Sequence, residues 1–232
     1  MGILFRSAAA SGGSTPQALS VPVGVVNGDL LFMCAALGGG SSNGTGFNAL
    51  SGWVQLEQVV SAVGFTADMT TWWKVANSEP ASYTPVPRVG SGSSVLLAGA
   101  VLAYRNVVPA SPIRSISSSV LNSAAGPGSA TSPAPGSLVG VTVGDVSIIC
   151  YGWMDDLGGS NLPPFTTPSG WTSRVDVSAP TSGFSPGLKV VEKAAGTDIP
   201  TISSGSNPGV WSTASTALTG SLPSTGMLTF FN

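Results

Sequence analysis

Short runs of apolar residues, some alternating with polar ones and some unbroken, recur along this chain between Gly, Pro, Ser and Asn interruptions. Helical periodicity is nearly absent, and this pattern predicts an all-β protein. In the strongest run, Leu30, Phe32 and Cys34 share one face of a strand and Leu31, Met33 and Ala35 the other. In a second run, Val146, Ile148 and Cys150 share a face, with Ser147 opposite, where water or a partner is tolerated. These two sets of three are the expected inward-facing residues. Further strands are predicted at 2–7, 17–23, 53–62, 67–76, 95–106, 113–119, 137–143, 171–178, 187–194, 209–219 and 226–231. Segments 38–46, 122–136 and 155–169 read as loops, because their Gly, Ser, Pro and Asn supply turns. So many strands exceed a seven-stranded immunoglobulin-type module. They predict a jelly-roll-like antiparallel β-sandwich.

The chain also repeats itself. VGVVNGDLLFMC returns as VGVTVGDVSIIC, with one spacing separating Gly28 from Gly144, Asp29 from Asp145 and Cys34 from Cys150. Ser51-Gly52-Trp53 returns as Ser169-Gly170-Trp171, and Trp73-Lys74-Val75-Ala76 is echoed by Glu192-Lys193-Ala194-Ala195. A period near half the chain is too long for a solenoid array. It suits one sandwich built from two related halves, or two tandem small sandwiches: a first unit over 1–121, a linker or crossover over 122–136, and a second unit over 137–232. In the repeated Gly-Asp pairs, the glycine is expected to supply a positive-φ turn and the aspartate to cap it. Trp53 and Trp171 are each expected to start a strand and cover one end of the core.

Composition narrows the function. Only 8% of the 232 residues are charged and 42% are hydrophobic, with a net charge of −2. A surface built from Ser, Thr, Gly and Asn gains little solubility from charge and favours close packing, which points to a protein that lives in an assembly. Lys and Arg are scattered rather than clustered, so nucleic-acid binding lacks its footprint. No apolar run approaches a membrane span, and the N-terminus lacks the basic region of a signal peptide. The chain is therefore expected to fold in a reducing cytoplasm. Cys34 and Cys150 admit two readings, a disulfide between the halves or two small buried apolar residues in core strands, and the second is expected: both reduced and buried.

The chain contains no histidine, which removes His-dependent triads and the commonest zinc ligand. It shows no phosphate-binding loop, dinucleotide fingerprint or nucleophile elbow. Asp155-Asp156 is the one adjacent acidic pair, but it lacks the alternating oxygen ligands of a calcium loop. No enzyme, metal or cofactor is expected.

The order of a "VPVGVVNGDLLF" strand, a Ser-Gly-Trp turn, an aromatic strand running into "KVANSEPASYT" and a strand ending "AYRNV" resembles small β-sandwich proteins of tailed bacteriophages. Those proteins serve in head decoration, head fibres or tail appendages. Here the resemblance is carried by 25–31, 51–53, 73–84 and 101–107, and the second copy lacks the Tyr-Arg-Asn ending. It implies a non-enzymatic virion structural protein, made in the host cytoplasm. Such a protein would be a homo-oligomer and dock on the major capsid protein or on tail proteins. The alternative is a carbohydrate-binding adhesion module of a tail fibre or surface appendage. Candidate partner contacts are Phe230 and Phe231 near the apolar C-terminus, and Trp72, Trp73 and Trp153. Trp72 and Trp73 point to opposite faces of one strand, so one of them is expected to leave the core or meet a partner.

Overall fold

Each sequence copy builds one whole sheet. A computed structural model describes residues 2–40, 46–60, 65–88, 95–121, 135–155, 166–179, 185–194 and 210–220. The first half contains β1 (Leu4–Ser14), β2 (Leu19–Ser20), β3 (Leu30–Gly40), β4 (Val54–Val59), β5 (Phe65–Val75), β6 (Ser82–Tyr83) and β7 (Leu96–Arg105). Five of these form an antiparallel sheet in the order β1-β7-β3-β5-β4, while β2 and β6 pair separately. The second half contains β8 (Ile113–Leu121), β9 (Val146–Asp155), β10 (Thr172–Ser178), β11 (Ser185–Ala194) and β12 (Val210–Leu218). Their order is β8-β12-β9-β11-β10, the same permutation of the same five elements.

The correspondence extends to single residues. Cys34 pairs with Thr71 and Ala100, and Cys150 with Val190 and Ala214. The register slips between Gln55 and Glu57 in β4 and between Ser173 and Val175 in β10, at matching places. It slips again at Arg6 in β1 and at Arg114 in β8. An extra residue of this kind turns the strand and re-aims its side chain.

The two sheets face one another with β3 and β9 at the centre, running in the same direction. Ala36 lies against Gly152, where an added Cβ would stand 3.1 Å from the Ala36 Cβ. Across the sandwich β1 touches β10 as β8 touches β4, and β7 touches β11 as β12 touches β5. An approximate twofold axis therefore runs between the sheets, parallel to their central strands.

The inner core contains Leu30, Phe32, Cys34, Val146, Ile148 and Cys150, as the alternation predicts. The outer face of the first sheet carries a second core. There Leu31, Met33, Trp72 and Val101 pack under Leu19, Phe47 and Trp53. In the second sheet the outward residues Ile149, Tyr151 and Val191 are fully buried as well. Burial on both faces is why β3 reads as an unbroken apolar run rather than an alternating one. Ser147, expected to meet water or a partner, is likewise buried.

Four expectations change. The repeat boundary comes earlier than 121, because β8 belongs to the second sheet and is the counterpart of β1. Segment 122–136 thus lies inside the second unit. No strand forms over 137–143, where alternating valines imitate one; Gly140 adopts φ 72° and Val139 and Val143 face outward. Segment 17–23 shrinks to the two residues of β2, and the glycines expected to open a loop at 38 instead finish β3. The predicted strand 226–231 lies outside the described residues.

Candidate docking surface

Because β3 and β9 run in the same direction, the loops that lead into them emerge at the same end of the sandwich. Each loop is held by its aspartate. The Val26 N–H donates to Asp29 Oδ2 at 3.0 Å, and the Asp29 N–H donates to the Val26 carbonyl at 3.1 Å. In the second copy the Thr142 N–H donates to Asp145 Oδ2 at 2.8 Å, and the Asp145 N–H to the Thr142 carbonyl at 3.1 Å. Gly28 and Gly144 supply the left-handed backbone, with φ of 91° and 99°. Gly28, Asp29, Gly144 and Asp145 are thus turn formers, as their sequence setting implied.

The aspartates have partners that were not legible in the alternation. Arg6 Nε lies 2.6 Å from Asp29 Oδ2, and Arg114 Nε donates to Asp145 Oδ2 at 2.5 Å. Both arginines are the extra residue of equivalent bulges, and the bulge turns each one toward its turn. The only sequence signal was the faint echo of Phe5-Arg6-Ser7 in Ile113-Arg114-Ser115. Burial alone would raise the Asp145 carboxyl. The Arg114 hydrogen bond and the N–H groups of Gly220 and Thr142 outweigh it and hold the carboxyl below its ordinary value. Next to each arginine a serine fixes the start of the loop. Ser7 Oγ donates to the Val23 carbonyl at 2.8 Å, and the Val139 N–H donates to Ser115 Oγ at 3.1 Å.

These loops carry apolar side chains into solvent. Val23 is 92% exposed and Val139, its counterpart, 76%. Val26 and Val143 are 53% and 75% exposed on the same loops. Leu4, at the same end, is also exposed. Beneath them each turn aspartate is paired with an arginine, and the valines present apolar surface at two related points.

Trp72, Trp73 and Trp153, the other described candidates, pack within the protein. Trp72 is fully buried and meets the Phe47 ring edge-on at 5.3 Å. Trp153 is 3% exposed, and Trp73 is half-buried against the inner core. The expectation that Trp72 or Trp73 must leave the core fails, because the first sheet has a core on each side. Phe230, Phe231 and Asp156 lie outside the described residues, and Asp155 is the last residue of β9.

Trp53 and Trp171, expected to start strands, instead stand immediately before β4 and β10. Each donates its N–H at 3.1 Å across a tight turn, to Leu50 and Pro168 respectively. Trp53 packs edge-on against Tyr83 at 5.1 Å. Lys74 Nζ reaches both rings, bonds the Tyr83 hydroxyl at 2.9 Å and pairs with Glu79 at 2.9 Å. Burial would lower the Lys74 ammonium, but the Tyr83 and Glu79 contacts prevail and hold it above its ordinary value. Glu79 is held low by the Tyr83 hydroxyl, the Asn77 N–H and Lys74, which together overcome its burial. This cluster pins the loop after β5 onto the sheet. Among the described residues no cluster of Cys, Asp and Glu is placed to hold a metal ion. No protein-family model, curated protein or solved structure matches this chain.

Proposed function

We propose that the protein is a non-enzymatic structural component of a tailed-bacteriophage virion, a capsid decoration or head-fibre protein that docks on coat subunits. The observation that carries this reading is the pair of valine-tipped loops. Val23 and Val139 keep the same apolar identity at the same exposed position in two otherwise diverged copies, where core packing does not demand it. Exposed apolar residues repeated on two related loops favour a partner. A chain with two equivalent contacts facing one way fits a lattice that presents its binding site many times, and each contact raises the effective concentration of the other. The scarcity of charge supports the same view, as does the resemblance of the sequence.

The test uses purified particles of the phage encoding the chain. The protein is expected at a fixed copy number per particle by quantitative mass spectrometry. Val23→Ser with Val139→Ser is expected to keep its melting temperature and lose attachment to particles lacking the native protein. Absence from particles, or tight binding of a soluble glycan by a chain that ignores coat, would overturn the proposal and favour an adhesion module.

A further inference from the structure

The middle of the sandwich is narrow. The side chains around the axis are small: Ala36, Ala98 and Ala100 on one sheet, Gly152 and Ala214 on the other. Stacked sheets ordinarily stand ~10 Å apart, too far for a bond between facing cysteines without local approach. Here a Cβ on Gly152 would come within 3.1 Å of the Ala36 Cβ. That is closer than the ~3.5–4.5 Å between the Cβ atoms of a disulfide. Cys34 and Cys150 sit one inward-facing position before Ala36 and Gly152 on the same two strands. They therefore face one another across the axis. Both are free and fully buried.

We propose that Cys34 and Cys150 form a latent disulfide, reduced where the chain is made and joined across the two sheets when the protein folds or opens in the presence of an oxidant. A low-molecular-weight disulfide serves as that oxidant. One cysteine thiolate attacks it and releases a small thiol. The second thiolate then attacks the mixed disulfide and releases the other small thiol. The two cysteines give up two protons and two electrons, and the reagent takes them up as two thiols. Burial, and then the neighbouring Cys34 thiol, hold the Cys150 thiol well above its ordinary value. The closed native state therefore reacts slowly, and the bond forms through open or refolding chains. Because the two residues are far apart in sequence, the bond would restrict the unfolded chain strongly.

The test refolds the whole chain from urea in a mixture of oxidised and reduced glutathione. Thiols are then counted in denaturant and the intact mass is measured. The expected result is loss of both thiols, a mass lower by two hydrogens, no glutathione adduct, and a urea midpoint shifted upward relative to the reduced protein. Reductant should reverse all four. Cys34→Ala and Cys150→Ala should each retain a thiol or an adduct and show no such shift. The wild-type measurement decides the matter alone if either variant misfolds. A folded protein that keeps both thiols, carries glutathione, crosslinks between chains, or is weakened by the bond would overturn the proposal.

Discussion

Trp73 and Glu192 occupy the same position in the two halves. Trp73 pairs with Phe32 on one side and Val54 on the other, and Glu192 pairs with Ile148 and Thr172 at the corresponding points. Glu192 accepts a 2.9 Å hydrogen bond from the buried Tyr104 hydroxyl across the sandwich and pairs with Arg174. Arg174 in turn lies 4.0 Å from the centroid of the Phe5 ring. Around Trp73 the equivalent positions hold Leu56, Leu218 and Ile113, all packed in the inner core. One flank of the sandwich is thus tied by a charged network and the other closed by apolar contact.

This asymmetry can be erased. Glu192→Ala should cost about 3 kcal/mol, because it strands Arg174 and the Tyr104 hydroxyl. The triple variant Tyr104→Leu, Arg174→Leu, Glu192→Trp copies the other flank. It is expected to unfold in urea at or above the wild-type midpoint, since well-packed apolar groups often match a buried ion pair. Failure of the triple variant to fold would show that the flanks are not interchangeable.

Asp145 makes stability depend on acid. Its folded-state pKa lies below the ordinary 3.8, so its contribution is fully present above that value. The contribution is lost as pH falls through the depressed folded-state value. Urea midpoints recorded from pH 6 downward, an interval set by the ordinary carboxylate range of about 4, should decline at the acid end. Asp145→Asn should be less stable near neutrality and show a flatter decline. A curve parallel to wild type would remove Asp145 from the account.

Gly152→Val tests the narrow waist. A Cβ there meets the Ser212 Oγ at 2.9 Å and the Ala36 Cβ at 3.1 Å. The sheets must part to admit a branched side chain, at a cost of about 1–3 kcal/mol. Thermal unfolding should show the loss, and Gly152→Val combined with Ala36→Gly should recover part of it.

Trp72→Ala separates core from binding surface. A fully buried ring of this size should cost about 3–5 kcal/mol on truncation. Any loss of partner binding in that variant is expected to track unfolding measured on the same sample. A stable Trp72→Ala protein with impaired binding would contradict its burial.

The fold was legible because short apolar runs such as those of β3 and β9 are bounded by turn residues and because the repeat preserved turn chemistry at Asp29 and Asp145. The docking loops were harder to read. Val139, Val141 and Val143 alternate as a strand would, and only the positive φ of Gly140 and Gly144 breaks that reading in space. The bulged arginines were hidden because one residue inserted into a strand leaves no mark in a period of two. Trp72 looked surplus because alternation assigns it to the face opposite the sandwich core. The segments carrying Leu19, Phe47 and Trp53 turn that face into an interior.

Neither sheet could stand by itself in water, since each exposes the small apolar residues that now line the waist. Both halves lie on one chain, joined through residues 106–112, so their meeting across the axis between β3 and β9 does not depend on concentration. Two faces carried on one chain need not be copies of each other, and a tryptophan on one side can stand where the other side holds a glutamate.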